Sequence, residues 1–218
     1  DGRKFEPEGV PCIGEQAPSG YAAQTWSDVP GGRRIQTSWM RGGKYPSMPF
    51  NQQMSFPVEL TLEKFPEGVR LCRNPVREVE KLYKRAHRWQ RHVLKPGANI
   101  VPRTKHDLFD IRAEVNLGDA EGFGMIVRGI DLRYHRRERK FTCLGRDVHT
   151  WAELKNERLT FRVLVDRTSL ELFADRGKAA ACFCYLPEAR DWPLEFYSLG
   201  SQVRIVSLTV NELASVWK

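Results

Sequence analysis

Two stretches in the second half of the chain alternate with a period of two. Phe109, Ile111, Ala113, Val115 and Leu117 are separated by Asp110, Arg112, Glu114 and Asn116, and Leu159, Phe161, Val163 and Val165 by Thr160, Arg162 and Leu164. Successive side chains of a strand point to opposite faces, so each stretch reads as a strand with one buried face. Further strand-like runs fall at 122–128, 132–135, 140–144, 169–174, 179–186, 194–198 and 203–213, a density of short strands that predicts a two-sheet sandwich. The first third shows shorter runs at 21–27, 34–40, 54–62 and 69–73, punctuated by turn sequences at 28–32 (DVPGG) and 65–68 (FPEG). Four such strands predict one antiparallel meander, the unit of a propeller blade, which is marginal as an isolated sheet. Between strands two and three lies a Gly-, Pro- and aromatic-rich loop, longer than the usual connection and for that reason a candidate for function.

Residues 76–92 break the pattern. Val76, Val79, Leu82 and Tyr83 fall at helical spacing, and Glu80 precedes Lys84 by four, which predicts a short amphipathic helix or an extended linker. The division expected is therefore a blade-like sheet over 1–75, a linker over 76–92 and a sandwich over 93–218.

Composition supplies cores for both parts, with 41% hydrophobic and 11% aromatic residues in 218. No run approaches the roughly 18 apolar residues of a membrane span, so no membrane association is predicted. The first residues, DGRKFEPEG, are neither a signal peptide nor a natural start, and are expected to belong to a piece of a longer protein. The net charge of +8 arises after residue 80, since the first 80 residues hold ten Lys and Arg against ten Asp and Glu. One basic run is Lys81, Lys84, Arg85, Arg88 and Arg91; the other is Arg133, Arg136, Arg137, Arg139 and Lys140, broken by Glu138. Such runs attract anionic polymers, but on a linker and a hairpin they read as solvated faces, and no nucleic-acid partner is predicted.

Cys12, Cys72, Cys143, Cys182 and Cys184 show neither zinc nor disulfide spacing, and the five histidines form no close pair. The sequence predicts no metal and no cofactor. Cys182 and Cys184 share one face of a strand, where free Cys serves as a small buried hydrophobe.

The stretches YAAQTWSD at 21–28, GRRIQTSWM at 32–40, RGGKYPSMPFNQQMSFPVEL at 41–60 and DRTSLELFADRG at 166–177 together resemble the C-terminal half of glycoside hydrolase family 32, the levanases, inulinases and invertases. DGRKFEPE at 1–8 is similar to the end of that family's preceding blade. The resemblance implies a five-bladed propeller joined to a lectin-like β-sandwich, with this chain supplying the fifth blade and the sandwich, packed against blades that precede it. It implies a fructan or sucrose-like substrate and an extracellular or periplasmic parent enzyme. Retaining hydrolysis needs a carboxylate nucleophile and a carboxylic acid about 5–5.5 Å apart. In the family these groups and a third acid lie in Asn-Asp-Pro, Arg-Asp-Pro and Glu-Cys motifs, none of which occurs here. Asp28, Glu59 and Asp166 read as turn or strand residues rather than substitutes, and no Ser or Cys has a nucleophile-elbow context, so no catalytic residue is predicted.

What the blade can offer is a pocket wall, because sugar rings stack their C–H faces on aromatic rings. Tyr21, Trp39, Arg41 and Tyr45 are the candidates, and packing between blades is the alternative for Tyr21 and Trp39. Two departures from the family pattern stand out: Gly43 takes the place of a second Trp, and the Asp-containing motif expected before YAAQT is not recognisable in GEQAPSG. Trp151, Trp192 and Trp217 are candidates for a sugar platform on the sandwich or for packing. Two other functions compete with the enzyme portion: a stand-alone carbohydrate-binding module, and a basic β-protein that binds an anionic polymer.

Overall fold

The strands expected before residue 75 form a four-stranded antiparallel sheet in sequential order: β1 (Gly20–Thr25), β2 (Arg34–Met40), β3 (Val58–Phe65) and β4 (Gly68–Pro75). The structure, a computed structural model, describes residues 3–4, 15–45, 49–101, 106–151, 154–188 and 194–216, so Cys12, Trp192 and Trp217 fall outside it. The run expected at 54–62 enters the sheet later than its sequence suggests. Met54 makes only an isolated bridge to Trp39, and the ladder with β2 begins at Val58. Bonds from Met40 N to Gln53 O (3.0 Å) and from Ser55 N to Ser38 O (2.8 Å) close the base of the loop between β2 and β3.

Eleven strands follow among the described residues. They are β5 (Tyr83–Leu94), β6 (Phe109–Asn116), β7 (Gly122–Val127), β8 (Ile130–His135), β9 (Lys140–Cys143), β10 (Arg146–His149), β11 (Arg158–Val165), β12 (Ser169–Ala174), β13 (Ala179–Cys184), β14 (Glu195–Leu199) and β15 (Val203–Leu213). They make a five-stranded sheet, ordered β10-β9-β8-β7-β14, and a six-stranded sheet, ordered β13-β12-β11-β6-β15-β5; every strand pair in both is antiparallel. The two sheets enclose one core, to which β6 contributes Phe109, Ile111, Ala113 and Val115 and β11 contributes Leu159, Phe161, Val163 and Val165, the apolar members of both alternations. The all-β architecture, a four-stranded antiparallel sheet followed by a β-sandwich, is therefore as the sequence predicts.

Residues 76–92 differ from the expected helix or linker. A 3-10 helix occupies Arg77–Leu82, and the rest is β5, hydrogen-bonded along β15 from Tyr83 to Leu94. Val76 and Val79 keep their inward direction because a 3-10 turn repeats every three residues. Beyond them the basic run is the edge of a sheet. Charged residues blunt an edge against pairing with another chain, and they also erase the apolar alternation by which a strand is recognised.

The six-stranded sheet is used on both faces. Its inner face packs on the five-stranded sheet. From its outer face Leu164, Phe173 and Ala180 join Val58, Val76 and Val79 in a second apolar cluster that docks the four-stranded sheet. Burying a side chain of this kind contributes about 1.5–3 kcal/mol. Polar contacts set the register of that junction: Gln53 exchanges hydrogen bonds with Thr168, Asn74 donates to the Arg176 carbonyl (2.9 Å), and Lys178 reaches Glu67 (2.5 Å). Gly177 sits at φ 90° directly against β4, where a Cβ would run into the Arg73 carbonyl. Only glycine meets both demands.

Candidate functional site

Tyr21 and Trp39 are paired across β1 and β2, which places both rings on one face. They meet edge to face, with centroids 6.0 Å apart at an interplanar angle of 68°, the arrangement that aligns a ring edge with a π-face. Arg41, just past β2, lays its guanidinium 4.7 Å above the Tyr21 ring and donates from Nε to the Pro18 carbonyl (3.2 Å). The Trp39 indole N–H donates to Gln52 Oε1, so the loop itself orients the ring. Tyr21 remains 52% exposed. Three of the four predicted residues thus form one exposed aromatic and cationic cluster.

Tyr45 packs elsewhere. Its ring lies 5.4 Å from that of Phe50, and its phenol covers Gly43, where any Cβ would collide with the hydroxyl. The hydroxyl is buried without a hydrogen bond among the described residues, and burial beside Cys184 pushes its pKa up to about 12. Gly43, the position of the departure noted above, is therefore filled from the next turn of chain rather than left open.

Behind Tyr21 a cavity of about 200 Å³ lies between the four-stranded sheet and the outer face of the sandwich. Its polar lining includes two carboxylates that the sequence did not single out. Glu171, on β12, is 1% exposed; it accepts a hydrogen bond from Phe56 N (2.8 Å), and burial pushes its pKa up to about 8. Glu15 accepts from Cys182 N (2.7 Å) and is also raised, chiefly by desolvation. The Cys182 thiol stands between them, 3.4 Å from Glu15 and 3.5 Å from Glu171, and burial raises its pKa well above the ordinary thiol value. Cys182 is buried as expected, but against carboxyl groups rather than in an apolar core. Carboxylates with raised pKa values in a cavity are active-site candidates in general. Here their oxygens are engaged by backbone N–H groups from both sides of the junction, and the space is smaller than the roughly 300–1,000 Å³ of ligand pockets. The arrangement fastens two sheets together. No sequence signal marked Glu171 as buried, because the surface covering it comes from residues about a hundred positions away.

Local structure accounts for the remaining acidic and aromatic positions. Glu59 is bound by Arg33 (2.9 Å), which also grips Glu78 (2.7 Å) and holds that carboxyl down at about 2. Asp28 lies at φ 54°, and Asp166 accepts from Arg167 N (2.7 Å) in the turn between β11 and β12. Trp151 stays 43% exposed, with the Lys178 ammonium 5.8 Å over its ring. In the second basic run Arg133 is paired with Asp131, Arg136 with Glu157 and Lys140 with Asp147. Among the described residues no group of three or more His, Cys, Asp or Glu is placed to hold a metal ion, and no helix is long and apolar enough to cross a membrane.

Comparison with known proteins bears on both parts of the chain. A family model described as "Glycosyl hydrolases family 32 C terminal" matches residues 78–212. A levanase of Bacillus subtilis (strain 168) is 32% identical over 225 residues, covering 90% of this chain and 33% of the levanase. The solved exo-inulinase from Aspergillus awamori superposes with a TM-score of 0.84 at 16% identity, over 100% of this chain and 49% of that one. The β-fructofuranosidase from Schwanniomyces occidentalis, complexed with fructosyl-erythritol, gives 0.79 at 15% identity, over 97% and 51%. The chain thus spans about a third of the levanase and half of each of these solved chains, and over that span it belongs to glycosyl hydrolases family 32 as a C-terminal portion.

Proposed function

We propose that the chain is the C-terminal part of a levanase-like fructan hydrolase acting outside the cytoplasm, in which the four-stranded sheet closes a propeller and the sandwich buttresses it. The supporting observation is the 32% identity to a levanase over 90% of the chain, in a sequence that lacks the Asn-Asp-Pro, Arg-Asp-Pro and Glu-Cys motifs of the family's chemistry. In this reading residues up to Pro75 are the fifth blade, and the sandwich runs from Tyr83 rather than from 93. Retaining hydrolysis takes place on carboxylates supplied by preceding blades. Tyr21, Trp39 and Arg41 form one wall of the sugar pocket: the rings offer apolar faces to a furanose, and the guanidinium offers donors to its hydroxyls. Tyr45 supports the wall from behind by packing on Gly43.

Two measurements test the proposal. Assays on levan, inulin and sucrose are expected to show no turnover by these 218 residues, and measurable hydrolysis would refute the assignment of the chemistry to preceding blades. In the parent enzyme Trp39→Ala is expected to lower kcat/KM on fructan by one to two orders of magnitude while leaving thermal stability nearly unchanged. An unaltered kcat/KM would reduce Trp39 to a packing residue. The coding sequence upstream of Asp1 supplies an independent check, since the three acidic motifs are expected there in order.

A further inference from the structure

At one end of the sandwich the β6–β7 turn, the β8–β9 hairpin and the segment entering β11 surround an open groove of about 1040 Å³. It shares no lining residue with the Tyr21 cluster or with the cavity behind it. Its lining combines Ala120, Leu154 and Leu199 with four arginines and four carboxylates.

These charges do not all neutralise one another. Arg133 and Arg136 are occupied, the first by Asp131 and Tyr197 Oη, the second by Glu157. The side chains of Arg137 and Arg139, from the β8–β9 hairpin, and of Asp119 and Glu121, from the neighbouring β6–β7 turn, form no hydrogen bond or ion pair within the described residues. The backbone fixes the walls independently of these side chains: Arg136 N donates to the Glu121 carbonyl (2.9 Å), Glu121 N to the Leu199 carbonyl (2.9 Å) and Thr150 N to the Arg139 carbonyl (2.9 Å). The groove therefore has a backbone-fixed frame whose lining offers unspent donors and unspent acceptors together.

That combination selects a ligand class. Guanidinium groups only donate and carboxylates only accept, whereas a hydroxyl does both. A polyol lying in the trough can accept from Arg137 or Arg139 and donate to Asp119 or Glu121 with the same functional group, while its C–H faces rest on the leucines. A polyanion would gain the arginines but meet an equal number of carboxylates, so the lining gives it no net attraction. The volume, at the upper end of the range for small-molecule pockets, suits several linked sugar rings rather than one.

We propose that this groove is a second carbohydrate site, separate from the pocket wall on the four-stranded sheet, which binds a neutral oligosaccharide chain. Identifying that chain as fructan rests on the function proposed above; the neutral-polyol class does not. A site here would hold a polymer on the sandwich while another segment of it occupies the propeller pocket, raising the effective substrate concentration there.

Affinity gel electrophoresis of the 218-residue chain in gels containing levan, inulin, dextran or heparin tests this. Retardation by levan or inulin is expected, little changed by added salt and weakened about tenfold in the double variant Glu121→Gln, Arg137→Gln. Thermal unfolding of the double variant should match the parent, because neither side chain has an internal partner to lose. Retardation by dextran alone, lost in the same variant, would support the groove and count against the fructan reading. Absence of retardation by every neutral polysaccharide, retention that survives the double variant, or salt-sensitive retention on heparin alone would each overturn the proposal.

Discussion

Glu171 occupies an outward position on β12, between Leu170 and Leu172, which both point into the sandwich core. By period alone it reads as a solvent-facing strand residue. Its burial to 1% follows from the four-stranded sheet that lies over it, and its pKa near 8 follows from that burial, with Glu15 and Asp166 adding to the rise and the Phe56 N–H and Cys182 thiol opposing it. Glu15, raised for the same reason, is drawn back down by Cys182, Ala17 and Arg73. A carboxyl whose folded pKa exceeds its unfolded value near 4.5 binds more protons in the folded state between those two values. Its contribution is complete below about pH 4.5, declines as pH rises through about 8 and is constant above. Glu171→Gln keeps an acceptor for Phe56 N–H and cannot ionise. Thermal unfolding midpoints from about pH 5 to about pH 9 should therefore fall less steeply for the variant, which gains on the parent toward the alkaline end. Parallel curves would show that another group titrates at this junction.

At the scale of elements, strands with one apolar face were legible and strands without one were not. Ser169–Ala174 and Val203–Leu213 coincide with the expected runs, whereas β5 and the short β10 were missed. In β10 only Val148 is buried, and in β5 only Leu94, so neither carries a readable alternation. The outer face of the sheet next to β5 is polar in sequence but closed in structure. Asp110, wholly buried, accepts two hydrogen bonds from Arg162 (2.8 and 2.7 Å) and one from the Tyr83 hydroxyl, with Arg112 3.5 Å away. This cluster ties β5 to β6 and β11 where the linker was expected. Asp110→Ala would leave Arg162 without its carboxylate inside the cluster, and removing one partner of a buried pair costs about 3–5 kcal/mol. Tyr83→Phe removes two hydrogen bonds, the one donated to Asp110 and the one accepted from Arg112 (2.8 Å), each worth about 1 kcal/mol. Urea unfolding should show these two effects to be strongly non-additive, since both substitutions break the same network. Simple addition would mean that Tyr83 and Asp110 act independently.

For the whole molecule the six-stranded sheet is the shared layer, with the five-stranded sheet on one face and the four-stranded sheet on the other. The order of the elements was legible where neighbours in sequence pair, as throughout the four-stranded sheet and from β7 to β10; the β11-β6-β15-β5 pairings and the double use of the central sheet were not, the latter because Leu164, Phe173 and Ala180 look like exceptions in a polar face until Val58, Val76 and Val79 are seen against them. The proximity of Tyr21 to Trp39 follows from cross-strand pairing and so can be traced to strand sequence, whereas the position of Tyr45 beside Phe50 is set by the fold of the loop rather than by a strand. The same layering leaves part of the four-stranded sheet bare. Leu62 (74% exposed) and Leu71 (40%) are direct cross-strand partners, and Val69 (55%) lies beside them. Three neighbouring apolar side chains on one edge of a sheet are more than scattered surface residues, and under the proposed function the preceding blades cover them. Leu62→Glu combined with Leu71→Lys should then leave the melting temperature of the 218-residue chain within a few degrees of the parent, because neither side chain is buried in it. In the full-length enzyme the same pair should lower the melting temperature by several degrees and increase susceptibility to proteolysis at the junction between blades. Equal effects in the two proteins would place this patch on an outer surface and remove the blades as its occupant.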